Sequence, residues 1–282
     1  MKKQLFSLAL FGGLILLLAS GCKSEFEKIR ISGEPKLMYE KANQYYEAEE
    51  YDKAQSLYEL VISSYRGQKE AEEIYYRYAY TYYYTGQYIL AAYYFNNFSS
   101  TYSSSQFREE TDFMAAYSHY KLSPTFRLDQ TYTEKAIEDF QLFVNTYPHS
   151  ERVAEANQLI DEMRAKLERK ALEQGILYFD LRQYQSAIQS FENLLKDFPE
   201  TNRAEEIRFY IIRAAYLLAE NSFVEKQEPR YRDALERATE FLERYPESSN
   251  FKDVEQMLNN SRKQLNQLTD VGYKDKSTGP RS

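Results

Sequence analysis

The feature that most constrains the fold is a helical pattern that recurs five times along the chain. In each copy a small residue is followed by apolar residues four and seven positions later, so all three lie on one face of an α-helix. The small residues are 37, 45, 51 and 47 positions apart, and they are Ala54, Ala91, Ala136, Ala187 and Ala234. Periods of this length are typical of stacked helical units that bury their apolar faces against one another.

A second amphipathic helix is predicted before each of these helices. Its mark is a small residue followed three positions later by a ring, as in Ala42 and Tyr45, Ala79 and Tyr82, Ala116 and His119, and Gly175 and Tyr178. These helix pairs resemble the tetratricopeptide repeat, a helix-turn-helix unit of about 34 residues. We therefore expect an all-α fold, a superhelical array of about five helix hairpins over residues 35–267.

The uneven spacing of the copies predicts three insertions. Two of them, residues 121–131 and 220–230, fall between the helices of a pair. The third, residues 150–181, is free of proline and predicts a long helix that joins two halves. We expect repeats 1–3 in residues 35–150, the long helix with repeats 4 and 5 in residues 151–268, and a disordered tail in residues 269–282.

The N-terminus predicts a lipoprotein. Lys2 and Lys3 precede an apolar run over residues 5–18, and small residues stand directly before Cys22, the single cysteine of the chain. The run is shorter than the roughly 20 residues that cross a bilayer as a helix. We expect residues 1–21 to be a signal peptide, Cys22 to carry acyl chains, and residues 22–34 to be a linker.

Composition and motifs argue against two classes of function. A formal net charge of −7 removes the electrostatic basis for binding nucleic acid. The two histidines, His119 and His149, have no metal-ligand spacing, and no glycine-rich phosphate loop or nucleophile elbow is present. His119 stands where other copies carry tyrosine, so we expect a packed ring there. The sequence therefore predicts a protein that is not an enzyme and uses no metal or cofactor.

Aromatic residues at equivalent repeat positions predict a binding surface, which we call the aromatic stripe. Each of the first three repeats carries them on its first helix at spacing i, i+4, i+7. The stripe comprises Tyr39, Asn43 and Tyr46, then Tyr76, Tyr80 and Tyr83, then Phe113, Tyr117 and Tyr120. Stacked repeats would join these rings into a groove suited to an extended peptide. The alternative is that the rings only pack between helices.

The lipoprotein signal, the five repeats, the loop ending in Leu128, Asp129 and Gln130, and the Tyr147 to Ser150 junction together resemble the BamD family, also called ComL or YfiO. The 28 tyrosines suggest its Bacteroidetes type. The resemblance implies a subunit of the outer-membrane β-barrel assembly machinery, anchored in that membrane and facing the periplasm. It also implies two partners: the C-terminal strand of unfolded barrel proteins for the N-terminal repeats, and the periplasmic domains of the barrel-forming protein for the C-terminal repeats.

Two other functions remain open at this point. One is a different periplasmic tetratricopeptide lipoprotein that organises proteins of the cell envelope. The other is a surface lipoprotein that binds glycans, because aromatic platforms stack on sugars as well as on peptides. The regular repetition of the stripe suits an extended chain better than a sugar.

Overall fold

The computed structural model describes residues 24–277. The predicted signal peptide and Cys22 lie outside the described residues. Within them the chain is all-α, with no strand. Its helices are α1 Glu25–Arg30, α2 Pro35–Glu47, α3 Tyr51–Val61, α4 Glu70–Tyr84, α5 Tyr88–Thr101, α6 Arg108–Leu122, α7 Thr131–Thr146, α8 Val153–Asp180, α9 Tyr184–Asp197, α10 Ala204–Glu220, α11 Val224–Arg244 and α12 Phe251–Ser277.

The helices pack as consecutive hairpins, which confirms the predicted repeat fold. The five pairs are α2–α3, α4–α5, α6–α7, α8–α9 and α10–α11, and α12 packs on the last of them. The chain divides into two compact units. Of the described residues, unit 1 comprises 24–124 and 130–160, and unit 2 comprises 125–129 and 161–277. The predicted long helix is α8, and the division falls within it.

The repeated small residues lie at the centre of the packing. The five alanines of the repeated pattern, which we call the marker alanines, are at most 2 % exposed. The residues seven positions after them are equally buried: Val61, Phe98, Phe143, Leu194 and Phe241. Alanine lets a neighbouring helix approach closely, and the larger side chains fill the space on either side of the contact. The pattern therefore marks the core of every repeat.

The two helices of a repeat are joined by the same turn in three of the five hairpins. Its last residue but one has positive φ: Glu49 at 59°, Gly86 at 75° and Arg182 at 59°. The backbone N–H of the following residue donates a hydrogen bond to the carbonyl of Tyr45, Tyr82 or Tyr178 at 2.8–2.9 Å. This bond closes the helix end in the manner of a Schellman motif. Glycine is the residue that adopts this conformation without strain, yet only one of the three turns has it.

Successive repeats are joined by a contact that we call the hydroxyl–carboxylate latch. Before α6, α8, α10 and α12, a Ser or Thr accepts from the amide two residues later and donates to a glutamate on the first helix of the preceding repeat. The pairs are Ser105 with Glu72, Ser150 with Glu109, Thr201 with Glu168, and Ser248 with Glu205. The latch fixes the turn that follows a repeat against the first helix of that repeat.

The predicted insertions are partly corrected by the structure. Residues 123–130 form a loop between α6 and α7, as expected. The second insertion, 220–230, is not a loop, because α11 begins at Val224 and contains Pro229. α11 is simply longer than its counterparts: Pro229 lies at the surface near its N-terminal end and removes one backbone bond, and the buried face of the helix begins at Tyr231. In the predicted linker residues 25–30 form α1, and α12 continues past residue 269 to Ser277.

Candidate functional site

The aromatic stripe lies on α2, α4 and α6, the first helices of the first three repeats, and all of it belongs to unit 1. Residues at i, i+4 and i+7 share a helical face, and the hairpins place these three helices in corresponding positions. Ring contacts cross from one repeat to the next. The Tyr46 ring lies 6.3 Å from the Tyr84 ring, and the Tyr83 ring lies 6.3 Å from the Tyr117 ring.

Two members of the stripe belong to the core. Phe113 is 1 % exposed and packs edge-on against Phe140 and Phe143 at 5.4 and 5.3 Å. Tyr80 is 7 % exposed, packs against Phe95 at 4.9 Å, and donates its hydroxyl to Glu110. A ligand could not reach either ring without opening the helix packing. These two rings therefore pack beneath the exposed part of the stripe and cannot contact a ligand.

The members on α2 are half-buried and held in place by the next helices. The hydroxyl of Tyr58, which is fully buried, donates to Asn43 at 2.6 Å. The Tyr39 hydroxyl donates to Glu73 at 3.4 Å, and its ring packs against Tyr65 at 5.3 Å. The side chain of Asn43 is thus hydrogen-bonded within the hairpin, whereas both stripe tyrosines of α2 keep part of their rings at the surface.

The members on α4 and α6 form the continuous part of the surface. Tyr76, Tyr83, Tyr117 and Tyr120 are all half-buried. Tyr76 stacks on Phe107 at 4.4 Å, and Tyr117 lies 5.4 Å from Tyr120. Burial raises the pKa of Tyr83 to about 12, helped by the neighbouring tyrosines Tyr117 and Tyr88. The Tyr83 ring is therefore neutral at physiological pH and offers an apolar face with a hydroxyl edge.

Three neighbouring residues extend this surface and were not predicted. Tyr84, 47 % exposed, stacks on Tyr51 at 4.5 Å, and both rings contact Tyr46. The guanidinium of Arg77 lies over the Tyr46 ring at 5.1 Å. Arg77 also bonds Glu47 at 2.6 Å and Glu73 at 3.0 Å, and the bond to Glu47 ties α2 to α4. The run Tyr82, Tyr83, Tyr84 at the end of α4 was the sequence signal for Tyr84.

His119 occupies a polar contact rather than an apolar core. Its Nδ1 lies 2.6 Å from Oδ2 of Asp139, and its ring stacks near Tyr132 at 6.0 Å. Burial alone would raise the pKa of Asp139, but the hydrogen bonds from His119 and Lys135 outweigh burial and lower it. The expectation of a packed ring was therefore incomplete, because the half-buried His119 ring has an acidic partner, Asp139, that periodicity could not show. Among residues 24–268, no group of His, Cys, Asp or Glu side chains is arranged to hold a metal ion.

None of the helices in the described part of the chain is both long and apolar enough to cross a membrane.

A comparison with protein families gives one match. The family model YfiO, described as an outer membrane lipoprotein, matches residues 32–229. This span covers most of the chain and includes every residue of the aromatic stripe. No curated protein matches the sequence.

Three solved structures of low sequence identity are also similar to this chain. The TPR2AB domain of yeast Sti1 in complex with an Hsp90 peptide is 16 % identical, with 81 % of this chain and 98 % of that chain covered and a TM-score of 0.36. A thermophilic tetratricopeptide protein of Thermus thermophilus is 16 % identical, with coverages of 81 % and 98 % and a TM-score of 0.32. The apo form of RapI is 17 % identical, with both coverages 83 % and a TM-score of 0.31.

Proposed function

The chain belongs to the YfiO family of outer membrane lipoproteins, and from this premise we propose that it is a non-enzymatic subunit of the β-barrel assembly machinery. In this role unit 1 binds unfolded barrel proteins through the aromatic stripe. Unit 2 holds the periplasmic domains of the barrel-forming partner. Acyl chains on Cys22 keep the protein on the periplasmic face of the outer membrane.

The continuity of the stripe across repeats carries the proposal for unit 1. The Tyr46 ring on α2 meets the adjoining Tyr84 ring on α4, and the Tyr83 ring on α4 meets the Tyr117 ring on α6, so the surface is longer than any single hairpin. An extended strand with alternating side chains can lay its apolar residues on such rings. Tyrosine is suited to this contact because a large rigid area is buried at little cost in side-chain entropy.

The first test is affinity capture from detergent-solubilised envelopes. We expect recovery of a barrel protein that carries repeated periplasmic domains. Recovery of glycan-uptake proteins alone would favour the glycan-binding alternative. Recovery of other envelope proteins without a barrel protein would favour a different scaffold role.

The second test uses a variant chosen to spare the core. Replacing Tyr83 and Tyr117 by Ala should weaken binding of a peptide from the C-terminal strand of a barrel protein about thirtyfold, since aromatic contacts at a binding surface contribute about 1 kcal/mol each. Tyr93→Ala is the matched control, because Tyr93 is a 57 % exposed tyrosine on α5, outside the stripe. Fluorescence anisotropy measures the affinity, and circular dichroism checks the helix content.

Equal affinities of the double variant and the wild type would mean that these rings serve packing only. The same loss in Tyr93→Ala would mean that binding is nonspecific. Tyr80 and Phe113 are left unchanged, because truncating a buried ring costs about 3–5 kcal/mol and would confuse loss of binding with unfolding.

A further inference from the structure

Unit 2 contains an open notch between three successive helices, α9, α10 and α11. Its volume is about 600 Å³, in the range of ligand-binding clefts. Leu195, Ile211 and Phe241 supply apolar walls, and two half-buried arginines, Arg208 and Arg237, lie among them. Cationic side chains in an apolar recess require acceptors close by.

Unit 1 has the same notch at the equivalent place, between α5, α6 and α7, with a volume of about 260 Å³. The repeat pattern fixes the equivalence. Asp139 stands three residues after the marker Ala136, as Arg237 does after Ala234. Asp112 stands three residues after the latch residue Glu109, as Arg208 does after Glu205. Two acids of unit 1 are thus replaced by two arginines in unit 2.

The acids of unit 1 are satisfied within the unit. Asp112 accepts the Tyr147 hydroxyl at 2.6 Å. Arg108, whose own Nε is buried, lies 3.8 Å from the Asp112 carboxylate and donates another nitrogen to a backbone carbonyl. Asp139 pairs with His119 at 2.6 Å and with Lys135 at 2.9 Å. Both acids of the smaller notch therefore have partners within the unit, and Arg108, whose Nε makes no hydrogen bond, at least has the Asp112 carboxylate 3.8 Å away.

The arginines of unit 2 are satisfied unequally. Arg237 bonds Glu192 at 2.8 Å and Asp233 at 2.9 Å. Arg208 differs, because its Nε is buried and has no hydrogen-bond partner. A guanidinium nitrogen can only donate a hydrogen bond. The notch itself provides no acceptor for the Arg208 Nε.

We propose that this notch binds one Asp or Glu side chain on a short peptide segment of a partner protein. The ligand carboxylate accepts a hydrogen bond from Arg208 and places a negative charge beside its guanidinium, as the Asp112 carboxylate lies 3.8 Å from Arg108 in unit 1. An apolar residue beside it packs on Leu195, Ile211 and Phe241. Glu240 and Glu243 at the rim limit the ligand to a single buried carboxylate, because they would repel a polyanion. This site is separate from the aromatic stripe.

A library of random octapeptides displayed on phage provides the probe, with the full mature chain as the target. We expect selection of peptides with one acidic residue beside an apolar one. A selected peptide and its amide counterpart, with Asn for Asp or Gln for Glu, are then titrated against wild type and Arg208→Gln. A charge-assisted hydrogen bond predicts about tenfold weaker binding when either partner is changed. Changing both should add little to the loss.

Three controls isolate the notch. Arg203→Gln removes an exposed arginine at the N-terminal end of α10 that pairs with Glu206, and it should leave the affinity unchanged. Arg208→Lys keeps the charge if Arg208→Gln unfolds, and it should retain part of the binding. Tyr83→Ala with Tyr117→Ala should not affect this peptide, so failure here is distinguishable from failure of the proposed stripe.

Four results would overturn the proposal. The first is that no peptide is enriched, and the second is that the enriched peptides lack an acidic residue. The third is that the two changes, in the peptide and at Arg208, weaken binding independently. Binding that polyglutamate competes for better than the selected peptide would also exclude a site for a single carboxylate.

Discussion

Gly175→Ala tests whether close approach between α8 and α9 limits the stability of unit 2. Gly175 occupies the small position that alanine holds in the first helices of the first three repeats. A Cβ atom built on Gly175 would lie 2.4, 2.6 and 2.8 Å from three atoms of the Phe191 ring. Real Cβ atoms do not come this close to carbon, so the ring or the helix must move.

Two opposite effects set the magnitude. Alanine in place of glycine within a helix gains about 1 kcal/mol of stability. Overpacking of a core costs about 1–3 kcal/mol. Phe191 is fully buried and stacks with Tyr210 at 5.4 Å, so its ring has no open space to enter. We expect the cost of overpacking to exceed the gain in helix propensity, so that the free energy of unfolding falls by about 1 kcal/mol.

A double-mutant cycle measured by thermal and urea unfolding separates the two effects. Phe191→Leu removes the ring atoms that the new methyl would strike. In that background Gly175→Ala should become neutral or stabilise by up to about 1 kcal/mol. A rise in the unfolding midpoint of Gly175→Ala with Phe191 present would refute the packing argument, because helix propensity would then decide the outcome alone.

Two further predictions concern the turn and the polar contact. Arg182→Gly should raise the free energy of unfolding by about 0.5–1 kcal/mol, because a left-handed conformation strains every residue except glycine, and no change in urea unfolding would contradict this. Asp139→Asn should destabilise the protein at neutral pH. The pKa of Asp139 is lowered in the fold, so its contribution is complete above the unfolded value of 3.8 and is lost as pH falls through the folded value. The difference from wild type in urea unfolding should therefore shrink toward about pH 3, and a difference independent of pH would contradict it.

The repeat architecture could be predicted because it depends on residues close together in sequence. Ala91 and Phe98 lie on one helix, and their spacing alone shows which face is buried. The latch was not predictable in the same way. Its partners, such as Thr201 and Glu168, are 33 residues apart. In the sequence alone, each looks like an ordinary surface residue. The turns at Glu49 and Arg182 were also missed, since their left-handed backbone is imposed by the hairpin against local preference.

The sequence predicted which helices carry the residues of the candidate site, but only in part which of those residues are exposed. Spacing placed Tyr80 and Tyr83 on the same helix, but Tyr80 is buried and Tyr83 is half-buried. Tyrosine is compatible with both environments, because its ring packs in a core while its hydroxyl finds a polar partner. For Tyr80 that partner is Glu110 on the next repeat, which no pattern within α4 could indicate.

The two notches show how such an array can acquire different surfaces without changing its fold. The marker residues Ala136 and Ala234 carry the packing in both units, and the residues three positions later lie outside that contact. Exchange of Asp139 for Arg237 and of Asp112 for Arg208 therefore leaves the hairpins unchanged. It reverses the charge that each notch offers. Both acids of the unit 1 notch have partners within that unit, and one of them lies 3.8 Å from Arg108, whereas the buried Nε of Arg208 has no hydrogen-bond partner in its own notch.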